Sequence, residues 1–134
     1  MPYKSKTFLL ADDDREDHEL FKDAVLEMSP QLFVDCVTNG KEVVEYLADC
    51  DEDNLPCLIV LDYNMPKGNG PEVLDILSNH KRFSGIPKII WSTSNSADYI
   101  AECISKGARA FFVKPNNFSQ LKQVITEMMA FADL

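Results

Sequence analysis

Five times along this sequence, a short apolar run is followed by a longer segment with apolar residues at helical spacing, and this alternation constrains the fold more than any other feature. Neighbouring parallel strands need a crossover connection, usually a helix, whereas antiparallel strands can be joined by a tight turn. The alternation therefore predicts an α/β fold: a doubly wound five-stranded parallel sheet with helices on both faces. The runs that we predict as strands are residues 7–11, 33–37, 57–61, 87–92 and 108–113.

Residues suited to helix ends stand between these runs, which supports the alternation. Asp14 precedes the first helical segment, and Asn39 with Glu42 three residues later forms a variant of the capping box before the second. Ser96 can cap the fourth helix, and Gly107 follows its last apolar residue. Three of the predicted helices thus begin or end at residues that can satisfy free backbone groups.

The length of 134 residues is enough for one domain with its own core. We predict a single domain over residues 1–134, with no output domain. No apolar run approaches the roughly 18 residues that cross a membrane, and the N-terminal segment has no apolar core of the signal-peptide type. A cytoplasmic location is the resulting expectation.

The formal net charge of −9 narrows the possible partners. Such a charge repels nucleic acid and anionic lipid, so we expect neither as a ligand, and it favours metal cations and basic protein surfaces. The cysteines show no CxxC pairing and lie in or beside predicted elements, which favours free thiols over zinc ligands or disulfides. These cysteines are Cys36, Cys50, Cys57 and Cys103.

Polar side chains follow four of the five predicted strands. Taken alone, an acid after a strand is more often a turn or capping residue than a reactive group. The carboxyl ends of parallel strands, however, meet at one edge of the sheet, where ligands bind in open α/β folds. We therefore expect these residues to converge there: Asp12 and Asp13 after the first strand, Asp62 after the third, Ser92 at the end of the fourth and Lys114 after the fifth.

Three carboxylates gathered in one crevice repel each other and raise each other's pKa unless a cation lies among them. Oxygen ligands of high negative charge suit Mg²⁺, which accepts one or two carboxylates and leaves room for a phosphoryl oxygen. Lys114 and the Ser92 hydroxyl add a positive charge and a hydrogen-bond donor. A nucleophilic carboxylate in such surroundings is suited to phosphoryl transfer.

Six segments in this order resemble the receiver domain of two-component response regulators, and the chain as a whole is similar to single-domain regulators of the chemotaxis type. The resemblance implies a flavodoxin-like fold with strand order 2-1-3-4-5 and a role in phosphorelay signal transduction. The segments cover nearly the whole chain: LLADD (9–13), NG (39–40), IVLDYNMP (59–66), GNGPE (68–72), WSTS (91–94) and GARAFFVKP (107–115).

The resemblance assigns a phosphoacceptor and a Mg²⁺ site to this chain. Asp62 matches the acid that accepts the phosphoryl group from a partner histidine kinase. Asp13 matches a direct Mg²⁺ ligand, Asp12 a ligand acting through water, and Asn64 the residue whose backbone carbonyl completes the metal shell. Asp62 itself also contributes to that shell. Because Asp14 extends the acid pair to a triplet, we favour Asp12 and Asp13 as the metal-facing pair and Asp14 as a helix cap.

The resemblance also implies a conformational switch. Ser92 matches the hydroxyl that turns toward the phosphoryl group, Phe111 the aromatic residue that follows it inward, and Lys114 the ammonium that binds the phosphate. The Lys114–Pro115 peptide bond would be cis by the same resemblance. The face built from the last two strand–helix units would then change its affinity for a downstream protein. Trp91 is bulkier than the small aliphatic residues usual before the switch hydroxyl, and the sequence leaves open what it does.

Other functions are weaker predictions. A Mg²⁺-dependent phosphohydrolase of the haloacid-dehalogenase type also forms an aspartyl phosphate, but its nucleophile follows the first strand, whereas Asp62 follows the third. We therefore predict a phosphoacceptor that assists its own phosphorylation and dephosphorylation, and not an enzyme. Flavodoxin-like electron carriage is disfavoured because the loop after the first strand is acidic where a phosphate cradle is needed. His18 and His80 have no second ligand nearby in the sequence, so we expect structural roles for both.

Homodimerisation is a further hypothesis. Apolar residues persist to the C-terminus beyond what one helix face needs, namely Met128, Met129, Phe131 and Leu134.

Overall fold

The computed structural model describes residues 6–132 and 134, in which five parallel strands form one sheet in the order β2-β1-β3-β4-β5. The predicted fold class and strand order are confirmed. The strands are β1 (Thr7–Ala11), β2 (Phe33–Val37), β3 (Leu58–Asp62), β4 (Lys88–Ser92) and β5 (Ala110–Val113). The helices are α1 (Arg15–Met28), α2 (Gly40–Asp49), α3 (Gly70–Ser78), α4 (Ala97–Ser105) and α5 (Phe118–Met129), with a 3₁₀ turn at Glu52–Asn54.

The helices cover the sheet in two unequal layers. Helices α1 and α5 pack on one face through Phe21, Val25, Leu121 and Ile125, and α2, α3 and α4 pack on the other. Strands β3 and β4 are buried along their whole length. A strand covered on both faces is apolar along most of its length, which explains why the central residues of β3 and β4 are continuously apolar and do not alternate; Lys88, Asp62 and Ser92 lie at the strand ends.

The strand register brings the polar strand ends to one edge. Ala11 on β1 pairs with Leu61 on β3, so Asp12 and Asp62 follow in step. Ser92 on β4 pairs with Val113 on β5, so that Lys114 comes next at the same edge. The sheet therefore delivers each of these side chains to the crevice that the sequence indicated.

Local hydrogen bonds explain where the helices begin. Asp14 caps α1, accepting from the backbone N–H groups of Glu16 at 2.9 Å and Asp17 at 3.4 Å, as predicted. Asn39 caps α2, but the Glu42 carboxylate accepts from Thr38 and not from Asn39, so the motif is only half of a capping box. The complete box opens α3, between Asn69 and Glu72. Ser96 occupies the predicted cap position of α4 without a capping hydrogen bond from its side chain.

The loop between β3 and α3 lies against the start of α2. Lys41 N–H donates to the Lys67 carbonyl at 3.0 Å, and both Lys67 and Gly68 have positive φ angles, 53° and 109°. A Cβ on Gly40 would lie 2.3 Å from the Gly68 carbonyl oxygen. Only a residue without a side chain fits at this crossing.

Two details differ from expectation. Among the described residues no peptide bond is cis, so the predicted cis Lys114–Pro115 bond is wrong. The trans form is the lower-energy isomer of an X–Pro bond, and Lys114 N–H still donates to the Ser92 carbonyl at 2.8 Å.

Met128 is fully buried, and Met129 and Phe131 pack against the α1–α5 core. The fold therefore uses most of the apolar C-terminal residues that suggested a dimer.

No disulfide joins the four cysteines, all of which lie in the part of the chain that the structure describes. His18 is buried, with Nε2 2.6 Å from the carbonyl oxygen of Asp12, and the His80 ring stacks on Phe83. Both contacts are structural. None of the helices within the described ranges is long and apolar enough to span a bilayer.

Candidate phosphorylation site

The ammonium of Lys114 lies among three carboxylates at the carboxyl edge of the sheet. Its Nζ is 2.8 Å from Asp12 Oδ2, 2.9 Å from Asp17 Oδ2 and 3.3 Å from Asp62 Oδ2. The strands β1, β3 and β5 supply Asp12, Asp62 and Lys114, and α1 supplies Asp17. The predicted convergence of residues far apart in sequence is thus present in the structure.

A second set of contacts joins the acids to each other. Carboxylate oxygens of Asp12, Asp13 and Asp62 all lie within 4.8 Å of one another. Asp12 and Asp62 are buried, whereas Asp13 is exposed. Asp12 and Asp62 are therefore shielded from solvent, and the group is open to solvent on the side of Asp13, where an ion can enter.

The acidic group fits a hard divalent cation. One oxygen of Asp12 accepts from the Asp14 backbone N–H at 2.9 Å, but the buried Oδ2 has no well-directed hydrogen bond and meets only the charge of Lys114. One ammonium cannot neutralise three or four carboxylates, so the crevice keeps a net negative charge. Mg²⁺ takes oxygen ligands of this kind and needs only one or two carboxylates from the protein. Asp12, Asp13 and Asp62 are the residues that would hold it.

The pKa values reflect this crowding. Burial, and next the charge of Asp12, raise the pKa of Asp62 from 3.8 to about 7. Burial likewise raises the pKa of Asp12. Burial alone lowers the pKa of Lys114, but the close contacts with the carboxylates of Asp12 and Asp17 outweigh it and move that pKa above its ordinary value. Lys114 is therefore charged at neutral pH, while Asp62 binds a proton more readily than an ordinary carboxylate.

These shifts predict a pH-dependent stability of the cation-free protein. Between about pH 4 and pH 7 the folded state holds a proton at Asp62 that the unfolded chain has released, so stability falls as pH rises. At about 1.4 kcal/mol per pKa unit, the loss is on the order of 2–4 kcal/mol. Thermal unfolding with a chelator present should show the midpoint falling across this range. Asp62→Asn should flatten the curve, and an unchanged slope in that variant would contradict the assignment.

The predicted switch residues Ser92 and Phe111 and the predicted metal-shell residue Asn64 lie in different surroundings. Ser92 is buried, and its Oγ accepts from the Ser94 backbone N–H at 3.1 Å. Phe111 is half-buried on β5 and packs against the α2–α4 side of the core. Asn64 is exposed, with its backbone N–H 3.3 Å from Asp62 Oδ1. Asn64 thus contacts Asp62 directly, Ser92 follows the residue that pairs with Asp62 on the neighbouring strand, and Phe111 packs against the core.

Trp91 has a definite place beneath Lys114. Its ring is 2% exposed and meets the Phe21 ring edge-on, with centroids 5.5 Å apart. The Lys114 Nζ lies 5.2 Å from the centre of the Trp91 ring. Trp91 thus packs in the core on the α1–α5 side of the sheet, and its ring also contacts the charged end of Lys114.

Asp17 was not predicted as a site residue. An acid in the first turn of a helix is favourable for the helix dipole, so its presence there needs no other explanation. The available signal is position: the first turn of α1 follows β1 directly and lies at the same edge as Asp12. Asp14, in contrast, caps α1 as predicted and lies outside the acidic group.

Similar proteins point in the same direction as the geometry. The family model of the response regulator receiver domain matches residues 8–126. The two-component response regulator ARR8 of Arabidopsis thaliana is 30% identical, covering 96% of this chain and 64% of its own length. The probable methanogenesis regulatory protein FilR2 of Methanothrix harundinacea is 29% identical, covering 71% and 63%. The chain therefore spans less than two thirds of the length of both relatives.

Solved structures share the whole fold. The phosphorylated cyanobacterial phytochrome response regulator RcpA superposes with a TM-score of 0.85 at 30% identity, covering 96% of this chain and 94% of that one. The response regulator RPA3017, of red light signalling in R. palustris, gives a TM-score of 0.84 at 26% identity, with the same coverage.

Proposed function

The chain belongs to the response regulator receiver domain family, which acts in two-component phosphorelay signalling, and from that membership we propose that Asp62 is its phosphoacceptor. The observation that carries the proposal is the meeting of Asp62 with Asp12, Asp13 and Lys114 at one edge of the sheet. A lone acid at a strand end would not support it.

The chemistry assigned to Asp62 is a transfer of one phosphoryl group. A carboxylate oxygen attacks phosphorus, and the new oxygen–phosphorus bond forms as the bond to the donor's imidazole nitrogen breaks, with that nitrogen keeping the electron pair. Lys114, 3.3 Å from Asp62, donates hydrogen bonds to the incoming phosphoryl oxygens, and Ser92 supplies a hydroxyl from the neighbouring strand. Mg²⁺ bound by Asp12, Asp13, Asp62 and the Asn64 carbonyl would neutralise charge on those oxygens.

The donor in this proposal is a phosphohistidine on a partner histidine kinase. The signal then reaches a downstream protein through the face formed by α4 and β5. Tyr99, Ile104 and Val113 are exposed on those elements, which supports a protein contact there. Ser92 and Phe111 connect the site with this face, as the residues that change position.

The remaining parts of the proposal concern the chain as a whole. We propose a cytoplasmic regulator that signals by phosphoryl acceptance, with no nucleic acid or membrane as a direct ligand. A phosphohydrolase is the less favoured alternative, because the nucleophile follows the third strand and the receiver family model matches most of the chain. Homodimerisation stays a prediction that light scattering, with and without beryllofluoride, can test.

Phosphorylation by a small donor tests the function directly. Acetyl phosphate with Mg²⁺ should add the mass of one phosphoryl group to the intact protein, and a chelator should prevent the addition. Hydroxylamine should remove the group, because it cleaves acyl phosphates and leaves serine phosphates intact. Protein that stays unmodified at saturating donor and Mg²⁺ would refute the proposal. Repeated turnover of a phosphomonoester would favour the phosphohydrolase.

A further inference from the structure

Asp17 differs from the other two carboxylates around Lys114. Asp12 and Asp62 belong to the acidic group that fits a cation, whereas Asp17 does not. Its Oδ2 lies 2.9 Å from the Lys114 Nζ, closer than Asp62 at 3.3 Å, and its side chain is 26% exposed against 12% for Lys114. The contact spans 97 positions of sequence and ties α1 to the end of β5.

The position of Asp17 in α1 does not account for this contact. As the third residue of the helix, an acid there can complete a capping box by accepting the backbone N–H of the cap residue. Here that cap residue is Asp14, and its N–H donates to Asp12 Oδ1 at 2.9 Å instead. The Asp17 carboxylate is therefore free of the usual cap role, and its Oδ2 lies at the ammonium.

A cation in the acidic group would change the surroundings of Lys114. It would compete with the ammonium for the oxygens of Asp12 and Asp62, and the two positive charges would repel each other across a few ångströms. Both effects would weaken the contacts of the Lys114 ammonium at the stage when it has to bind the phosphoryl oxygens. The contact between Lys114 and Asp17 would remain, because Asp17 is not part of the acidic group.

We propose that Asp17 is a positioning residue, which keeps the Lys114 ammonium beside Asp62 while a divalent cation occupies the acidic group. The inference rests on the proposed function, because Lys114 matters there as the ligand of the phosphoryl oxygens. Asp17 acts only through Lys114. Its removal should therefore have no effect once Lys114 is gone.

A double-mutant cycle tests this dependence. Asp17→Asn should lower the rate of Asp62 phosphorylation by acetyl phosphate at saturating Mg²⁺ about five- to tenfold, the scale of one ordinary hydrogen bond. In a Lys114→Gln background the same substitution should change the rate less than about twofold. Glu16→Gln removes the same charge from the same helix turn and should have little effect in either background. Equal losses in both backgrounds would assign Asp17 to the stability of α1 and overturn the inference.

A second measurement needs no phosphoryl donor. In protein saturated with Mg²⁺, acetylation of the Lys114 amine by an N-hydroxysuccinimide ester can be followed by peptide mass spectrometry. Asp17→Asn should speed it about threefold or more relative to the wild type and Glu16→Gln, because the contact with Asp17 holds the mostly buried ammonium in the crevice. An unchanged acetylation rate would overturn the inference. Failure of wild-type phosphorylation would instead refute the proposed function, and the acetylation result would still decide the role of Asp17.

Discussion

Asp62→Asn should abolish phosphorylation by acetyl phosphate, lowering the rate by at least about 100-fold. The amide has nearly the shape of the carboxylate but no negative oxygen to attack phosphorus. It also removes one of two mutually repelling buried charges, since Asp12 is the main charged group that raises the pKa of Asp62. The variant should therefore fold at least as well as the wild type at neutral pH. Intact-protein mass measures the first effect, and thermal unfolding measures the second.

Asp23→Asn is the matched control, because Asp23 is an exposed acid on α1 outside the site. It changes the net charge equally and should be phosphorylated at the wild-type rate. Full labelling of Asp62→Asn, with a folded protein, would mean that another residue accepts the group. Hydroxylamine sensitivity would then separate a second acid from Ser92.

Gly40→Ala should lower the free energy of unfolding by about 3 kcal/mol. Within a helix, alanine is ordinarily favoured over glycine by roughly 0.5–1 kcal/mol. At this position the new Cβ would lie 2.3 Å from the Gly68 carbonyl oxygen and 2.8 Å from the Val73 side chain. The nearer atom belongs to the backbone and cannot rotate away, so the steric cost exceeds the helix preference. The unfolding midpoint should fall by about 10 °C.

Gly85→Ala provides the contrast, because a Cβ at Gly85 meets nothing within 4 Å. That variant should be neutral, or more stable by up to about 1 kcal/mol through a less flexible unfolded chain. Equal stability of the two variants would show that the loop at Gly68 can move away from α2. The phosphorylation rate of Gly40→Ala would then show whether this movement of the loop reaches Asp62, because the loop joins Asp62 to α3.

The elements of this fold were predictable because helical periodicity alternates with short apolar runs along the sequence. Runs such as LIVLD are too short for a helix and are typical of a buried strand, and Asp14 and Asn39 mark helix starts by hydrogen bonds that act within a few residues. The ends of the predicted strands were off by one or two residues, as at Lys88, which Pro87 precedes, and at Ala110, where the strand begins two residues later than predicted. The convergence at the sheet edge followed from topology alone.

What the sequence did not indicate depends on contacts between distant residues. Asp17 reads as an ordinary acid at a helix start until Lys114, 97 positions away, is placed beside it. Trp91 could not be assigned to a face because a strand buried on both sides has no polar alternation to show which side chains point where. The trans Lys114–Pro115 bond was missed for a different reason. The two isomers differ by only about 1 kcal/mol, so nothing in the local sequence selects one.

The position of Trp91 makes its intrinsic fluorescence a probe of the site around Lys114. It is the single tryptophan of the chain, and a lysine of the proposed phosphorylation site lies 5.2 Å from the centre of its ring. Indole emission responds to a charge at such a distance, so a displacement of the Lys114 ammonium should change the tryptophan fluorescence. We expect the proposed cation binding and phosphoryl transfer to be measurable in this way on the unlabelled protein.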